Sequence, residues 1–297
     1  IANDMKKVSV HDTASPVDPP GSAMQHAVCT SCHDPHTMDL GRGTPQAAHP
    51  NFGKVKGVNA SGSPVARVTY EFEACFRCHA DGNQGTPIVS RRIVQNNTRL
   101  EFSQNAVSYH PVETPGRNLN VPSLRPPLTT SSVIMCSTCH ASENSGLPGG
   151  GARGTHGSNF SPVLTERYDM QDFTSESSSA YALCYRCHDR TNILSDASFP
   201  GHKQHIVDLR TPCAACHDSH GIASVQGTPT GNSNLINFAS NIVFPDPQTG
   251  RLEFRDTGLY SGECFLTCHG RNHSPERYPG TAARSSARGI RQSPHVK

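Results

Sequence analysis

Five stretches of the chain read Cys-x-x-Cys-His: Cys29–His33, Cys75–His79, Cys136–His140, Cys184–His188 and Cys213–His217. A sixth, Cys264-Phe265-Leu266-Thr267-Cys268-His269, has one extra residue between its cysteines. The six copies use all 12 cysteines: Cys29, Cys32, Cys75, Cys78, Cys136, Cys139, Cys184, Cys187, Cys213, Cys216, Cys264 and Cys268. A histidine follows the second cysteine every time. That order lets two thiols form thioethers to a porphyrin while the histidine binds its iron, which is the attachment signature of haem c. Six haem c groups are the predicted cofactors.

Paired cysteines also make tetrahedral zinc sites or disulfide staples. Neither chemistry needs a histidine at the next position. Histidine is 17 of 297 residues, so six hits in six trials by chance has a probability of roughly a few in 10⁸. Zinc ribbons also favour matched couples, whereas the motif starts here lie 46, 61, 48, 29 and 51 residues apart. In the sixth copy the longer spacer must bulge to deliver both sulfurs to one porphyrin.

His33, His79, His140, His188, His217 and His269 are the proximal iron ligands that the motifs imply, which leaves 11 histidines for six opposite positions. Only five methionines are present, so bis-histidine ligation is the economical reading, and it favours low reduction potentials. His36 and His220 each stand three residues after a proximal histidine, too close to fold over their own porphyrin, so each is read as reaching a neighbouring one. His110 and His156 lie in loop-forming contexts between motifs. His202 and His205 sit at i, i+3, on one helical face. His11 and His273 come next, with His11 the candidate to bridge a subunit boundary. His26, His49 and His295 rank lower. The competing role for any surplus histidine is a surface residue or a hydrogen-bond donor to a propionate. Arg77 and Arg186 lie inside motifs, where a guanidinium fork suits such carboxylates.

These landmarks resemble the multihaem c-type cytochromes of metal-reducing and related anaerobic bacteria. The residues that carry the resemblance are His202-Lys-Gln-His205…Cys213-Ala-Ala-Cys-His217-Asp-Ser-His220-Gly221, His110-Pro-Val and Cys264…Cys268-His269-Gly270-Arg-Asn-His273. The resemblance implies iron ligation by the last histidine of Cys-His-x-x-His, here His36 and His220. It also implies a place among periplasmic carriers, outer-membrane conduits or extracellular filaments with a continuous haem chain. The Cys-x-x-x-Cys-His copy departs from the pattern.

The function expected is electron transfer, not catalysis, along an extracellular or cell-surface conduit able to polymerise into a filament. Its partners would be other cytochromes or copies of itself. The alternatives are a periplasmic monomeric carrier, or a multihaem reductase of the nitrite or tetrathionate type with one open haem. No Cys-x-x-Cys-Lys variant favours the reductase.

The elements that must position these residues come from a chain with only 34% hydrophobic residues, no Trp, 25 Gly and 23 Pro. So little apolar side chain cannot offset chain entropy by itself, and the porphyrins are read as the core. The fold class expected is a mostly irregular, loop-rich chain with short α-helices and a few β-hairpins wrapped around a haem stack. It forms one continuous unit, 1–297, with 279–297 a mobile or partner-bound tail. Ser177–His188 reads as a serine-capped helix. Ile88–Val94 with Arg99–Phe102, and Asn237–Phe244 with Arg251–Phe254, read as hairpins, and Gly146–Gly151 and Gly227–Ser233 as loops. A net charge of +2 makes no case for nucleic acid, and no run of about 20 apolar residues spans a membrane. The start at Ile1 without a signal-like segment reads as a processed, exported form.

Overall fold

Short segments that carry the six cysteine pairs organise the fold more than any long helix does. The computed structural model describes residues 1–11, 13, 27–36, 44, 47–49, 52–81, 87–145 and 152–278. Pro279–Lys297, Gly146–Gly151, His26 and His295 lie outside them. The chain is loop-rich, as its composition requires, and no described helix is long and apolar enough to cross a membrane.

Seven α-helices form among the described residues: α1 (Cys29–Cys32), α2 (Glu71–His79), α3 (Thr98–Phe102), α4 (Cys136–Cys139), α5 (Ala182–Tyr185), α6 (Arg190–Leu194) and α7 (Cys213–Cys216). Helices α1, α4 and α7 are single turns that begin at the first cysteine and end at the second. The motif histidine follows as the cap, its amide donating to the first cysteine's carbonyl at 2.9 Å in all three. A helical turn brings residues i and i+3 to one face, so both thiols of each motif point the same way. In α2, Glu73 folds back to accept from the amides of Thr69 (2.6 Å) and Tyr70 (3.0 Å). Glu71 accepts from the amide and hydroxyl of Ser137, both at 2.8 Å, which ties the second motif to the third.

Strands are short. β1 (Ser9–Val10) pairs with β5 (Gly157–Ser158), β2 (Gly57–Val58) with β3 (Pro64–Val65), and β4 (Ser108–Tyr109) with β6 (Gly221–Ile222), all antiparallel. The largest sheet is a meander of β7 (Glu253–Gly258), β8 (Ser261–Cys268) and β9 (Arg271–Tyr278). The apolar core is divided into small clusters between motifs. Phe72, Phe76, Phe102 and Val112 pack with Cys136. Tyr181, Tyr185 and Ile206 pack with Cys213. Phe238, Val243, Phe254 and Leu266 pack with Cys216, Cys264 and Cys268.

Neither expected hairpin forms. The Asn97 side chain accepts from the Arg99 amide at 3.1 Å and caps α3, so the segment read as a returning strand becomes a helix. Residues 88–94 run instead beside 237–240, with Arg92 N to Phe238 O at 3.0 Å and Ser240 N to Ser90 O at 2.9 Å. The turn at 245–250 does form, closed by Asp246, whose amide donates to Arg251 O at 2.7 Å. The strand that leaves it, β7, takes β8 as its partner. The helix expected over Ser177–His188 is regular only across α5, after a turn in which Ser177 Oγ accepts from the Ala180 amide at 3.0 Å.

Gly221 is a place where the fold admits no side chain. A Cβ there would run into the Glu101 carbonyl and lie 2.9 Å from the Ser108 carbonyl. Gly221→Ala is therefore expected to cost about 1–3 kcal/mol and to push β6 away from β4. Thermal unfolding of the loaded protein checks this, and an unchanged midpoint would mean that the strands are not held so closely.

Candidate haem-binding sites

The functional histidines meet two by two. Ring centroids lie 5.9 Å apart for His33 and His156, 6.1 Å for His79 and His11, and 6.0 Å for His140 and His220. They lie 6.4 Å apart for His188 and His110, and 6.3 Å both for His217 with His202 and for His205 with His273. Two imidazoles bound to opposite sides of one iron, with metal–nitrogen bonds of about 2.0–2.1 Å and about 1.1 Å more to each ring centre, have centroids about 6.3 Å apart. All six pairs fit that requirement. Among the described residues no three His, Cys, Asp or Glu side chains gather as a zinc site would, and all 12 cysteines are free thiols.

The second ring nitrogen of most paired histidines is engaged. Nδ1 meets a backbone carbonyl in His11 (Thr155, 2.6 Å), His110 (Ser219, 2.8 Å), His140 (Pro162, 3.0 Å), His205 (Gly201, 2.7 Å) and His217 (Asn234, 2.9 Å). In His188 and His202 it meets the hydroxyls of Ser123 and Ser198, and in His220 the Glu101 carboxylate at 3.2 Å. A proton held on Nδ1 leaves Nε2 with its lone pair for a metal and fixes the ring's direction. Burial pushes His140, His188 and His202 down to about 4, so near neutral pH these rings are uncharged, the form that ligates iron. His220 differs. Burial lowers its pKa, but the hydrogen bond and charge of Glu101 outweigh burial and raise it. Burial in turn raises Glu101.

Successive motifs lie side by side in sequence order. Burial pushes Cys32 up to about 11, with Cys75 and Cys78 adding to it. The neighbouring Cys136 thiol raises Cys75, and the Cys213 thiol raises Cys184. Burial pushes Cys139 up to about 11, with Cys187 next, and Cys216 up to about 12, with Cys268 next. A cavity of about 2390 Å³ runs past all these thiols and paired rings. An ordinary ligand site has about 300–1,000 Å³, so this space suits several large cofactors.

Not every candidate joins a pair. His36, in an exposed turn where its amide donates to Asp34 at 2.9 Å, is not among the paired rings. His11 was expected to bridge two subunits, but it faces His79 within its own chain. His269 stands apart too, its Nε2 at 2.8 and 3.0 Å from the two carboxylate oxygens of Asp172. Arg186 donates to Thr138 O at 2.9 Å and Thr165 Oγ1 at 2.7 Å, joining the fourth motif to the third. Sequence reading missed Arg91, whose guanidinium donates to the carbonyls of Ala214 (2.5 Å), Asn237 (2.7 Å) and His217 (2.7 Å). Its partners are more than a hundred residues away, so no local pattern marks it. Glu101 was missed for the same reason, since only the fold brings it to His220.

Thiol pairs on single helical turns beside facing imidazoles define a multihaem c-type cytochrome of the kind found in metal-reducing bacteria. Comparison with curated proteins and with solved structures gives no match. A family model does match residues 60–228, more than half of the chain, and it describes the outer membrane cytochrome MtrC/MtrF-like, domains II/IV. The chain belongs to that family.

Proposed function

We propose that residues 1–297 form one hexahaem electron conduit at the cell surface, with other cytochromes as its donor and acceptor. The observation that carries this reading is the set of facing histidine pairs laid out in motif order. Each iron supplies reversible one-electron chemistry when its haem is bound. The chain's residues do the rest. The cysteines from Cys29 to Cys216 would hold five haems, and the facing pairs His33/His156, His79/His11, His140/His220, His188/His110 and His217/His202 would supply two imidazoles to each. Two imidazoles at each iron would leave it no position for a substrate, which favours electron transfer over the reductase alternative. The family's description as outer membrane cytochromes supports the location. The backbone of His110 donates to the carbonyl of His220 at 2.9 Å, so ligands of neighbouring sites are fixed to each other by main chain.

The purified protein is expected to carry six covalent haems by intact mass and pyridine haemochrome. Its ferric EPR spectrum should be wholly low-spin, and its ferrous form should not bind CO. A stoichiometric high-spin signal with CO binding in the unaltered protein would favour the reductase. Electron microscopy distinguishes a discrete particle from a polymer of copies. Because His11 is used within its own chain, a polymer would have to join copies through other residues.

A further inference from the structure

We propose that the iron at the Cys264/Cys268 site is held by His205 and His273, and that the motif's own histidine, His269, is a turn residue and not a ligand. This inference rests on the six-haem reading above and departs from the pattern of the other five motifs.

Three observations carry it. The first is secondary structure. Each of the other five motifs places at least its first cysteine on a helix: α1, α4 and α7 carry both cysteines and α2 the whole motif, while α5 ends one residue after Cys184 and Cys187 and His188 follow it. Cys264 and Cys268 instead lie on the extended strand β8. His269 and Gly270 then make the two-residue turn into β9, with φ of 48° and 74°. Positive φ at both central residues is the tight hairpin turn whose twist matches its strands. The histidine is thus turned away from the position a helical motif gives it.

The second is the register. Side chains alternate along a strand, so Cys264, Leu266 and Cys268 share one face. His273 on β9 lies directly opposite Leu266, and directly opposed residues point to the same side. His273 therefore stands between the two thiols and on their face. An extra residue in β9 between His273 and Glu276 breaks the register there, so the irregularity that the long spacer called for falls on the strand opposite. His273 is 6% exposed, and its ring faces His205 at 6.3 Å.

The third is which nitrogen is free. His205 spends Nδ1 on the Gly201 carbonyl at 2.7 Å, as His11, His110, His140 and His217 spend theirs on backbone carbonyls. The Tyr278 hydroxyl lies 3.5 Å from His273 Nδ1 and 3.4 Å from His205 Nε2, long contacts to a neutral group that His205 Nε2 would give up to an iron at little cost. His269 borders the same cavity, but its Nε2 is the nitrogen bonded to Asp172. Its ring also stacks on Phe173, with centroids 4.6 Å apart. Binding iron through Nε2 would mean giving up that carboxylate.

The test uses the full-length, haem-loaded protein with His273→Ala and His269→Gln. Intact mass is read first to count haems, and then ferric EPR and ferrous CO titration are measured. His273→Ala should turn one haem in six high-spin and CO-binding, while His269→Gln stays low-spin and CO-inert. The reverse pattern, or a six-haem His273→Ala protein with no high-spin fraction, overturns the assignment. If either variant loads only five haems, cryo-electron microscopy of the unaltered protein decides. Density joining the sixth iron to His273 supports the assignment, and density to His269 overturns it. An unaltered protein with five haems by mass overturns the six-haem reading itself, an outcome distinct from a wrong ligand.

Discussion

Expressed without haem attachment, the 297-residue chain is expected to show no cooperative unfolding transition and little native-like circular dichroism. The packing requires it. The described hydrophobic side chains form separate small clusters, and three of the four sheets have strands only two residues long. Between them runs the cavity of about 2390 Å³. At about 24 cal/mol per Å³, leaving even a tenth of that volume as void costs about 6 kcal/mol. The whole stability of a domain is only about 5–15 kcal/mol. Water entry lessens the void term but leaves the apolar lining wet, so collapse or unfolding wins. The β7–β9 meander, with its own cluster around Phe254 and Leu266, is the part expected to retain most local order. Thermal scans and hydrogen exchange on haem-free and loaded protein decide. A haem-free chain that melts cooperatively would show that polypeptide, not porphyrin, is the core.

The second large effect belongs to His220. It faces His140 at 6.0 Å and bonds Glu101 at 3.2 Å, so His220→Ala removes an axial ligand and strands a buried carboxylate together. On the proposed hexahaem reading, one haem in six should become high-spin and bind CO. The orphaned Glu101 adds about 1–3 kcal/mol of destabilisation. His220→Met should keep that site low-spin and raise its potential by a fraction of the roughly 0.8 V that axial ligation spans. Glu101→Gln should leave the ligation intact with a smaller shift. Retention of six low-spin, CO-inert haems in His220→Ala would show that another residue faces His140.

The pairing partners of the motif histidines were partly legible because histidine is costly to spend and few roles are open to it. His110, His156, His202, His205 and His220 stood out by context, and the structure sets all five opposite another imidazole. Which ring each one meets was not legible, since the partners lie far apart in sequence. The hairpin expected over Ile88–Phe102 failed on one residue, since Asn97 serves a turn and a helix cap equally well by type and here caps a helix whose Phe102 packs against Phe72 and Phe76. The other failed because the strand after its turn takes β8 as partner. The strand geometry of the sixth motif was not legible for a related reason. Its letters imitate the other five, while Gly270 and the alternation along 261–268 give it the geometry of a hairpin.

The π-helical turn Gln204–Asp208, which begins just after His202 and contains His205, also bears on how the chain can change in length. A π-turn is one residue wider than an α-turn, so inserting or deleting a single residue there rotates the downstream chain by about 100°. Because His202 and His205 serve neighbouring pairs, one such event between them would unseat two contacts at once. The loop at 227–233 carries no histidine, and growth there would unseat none. Variation in length among related chains should therefore gather in such loops and avoid this one turn.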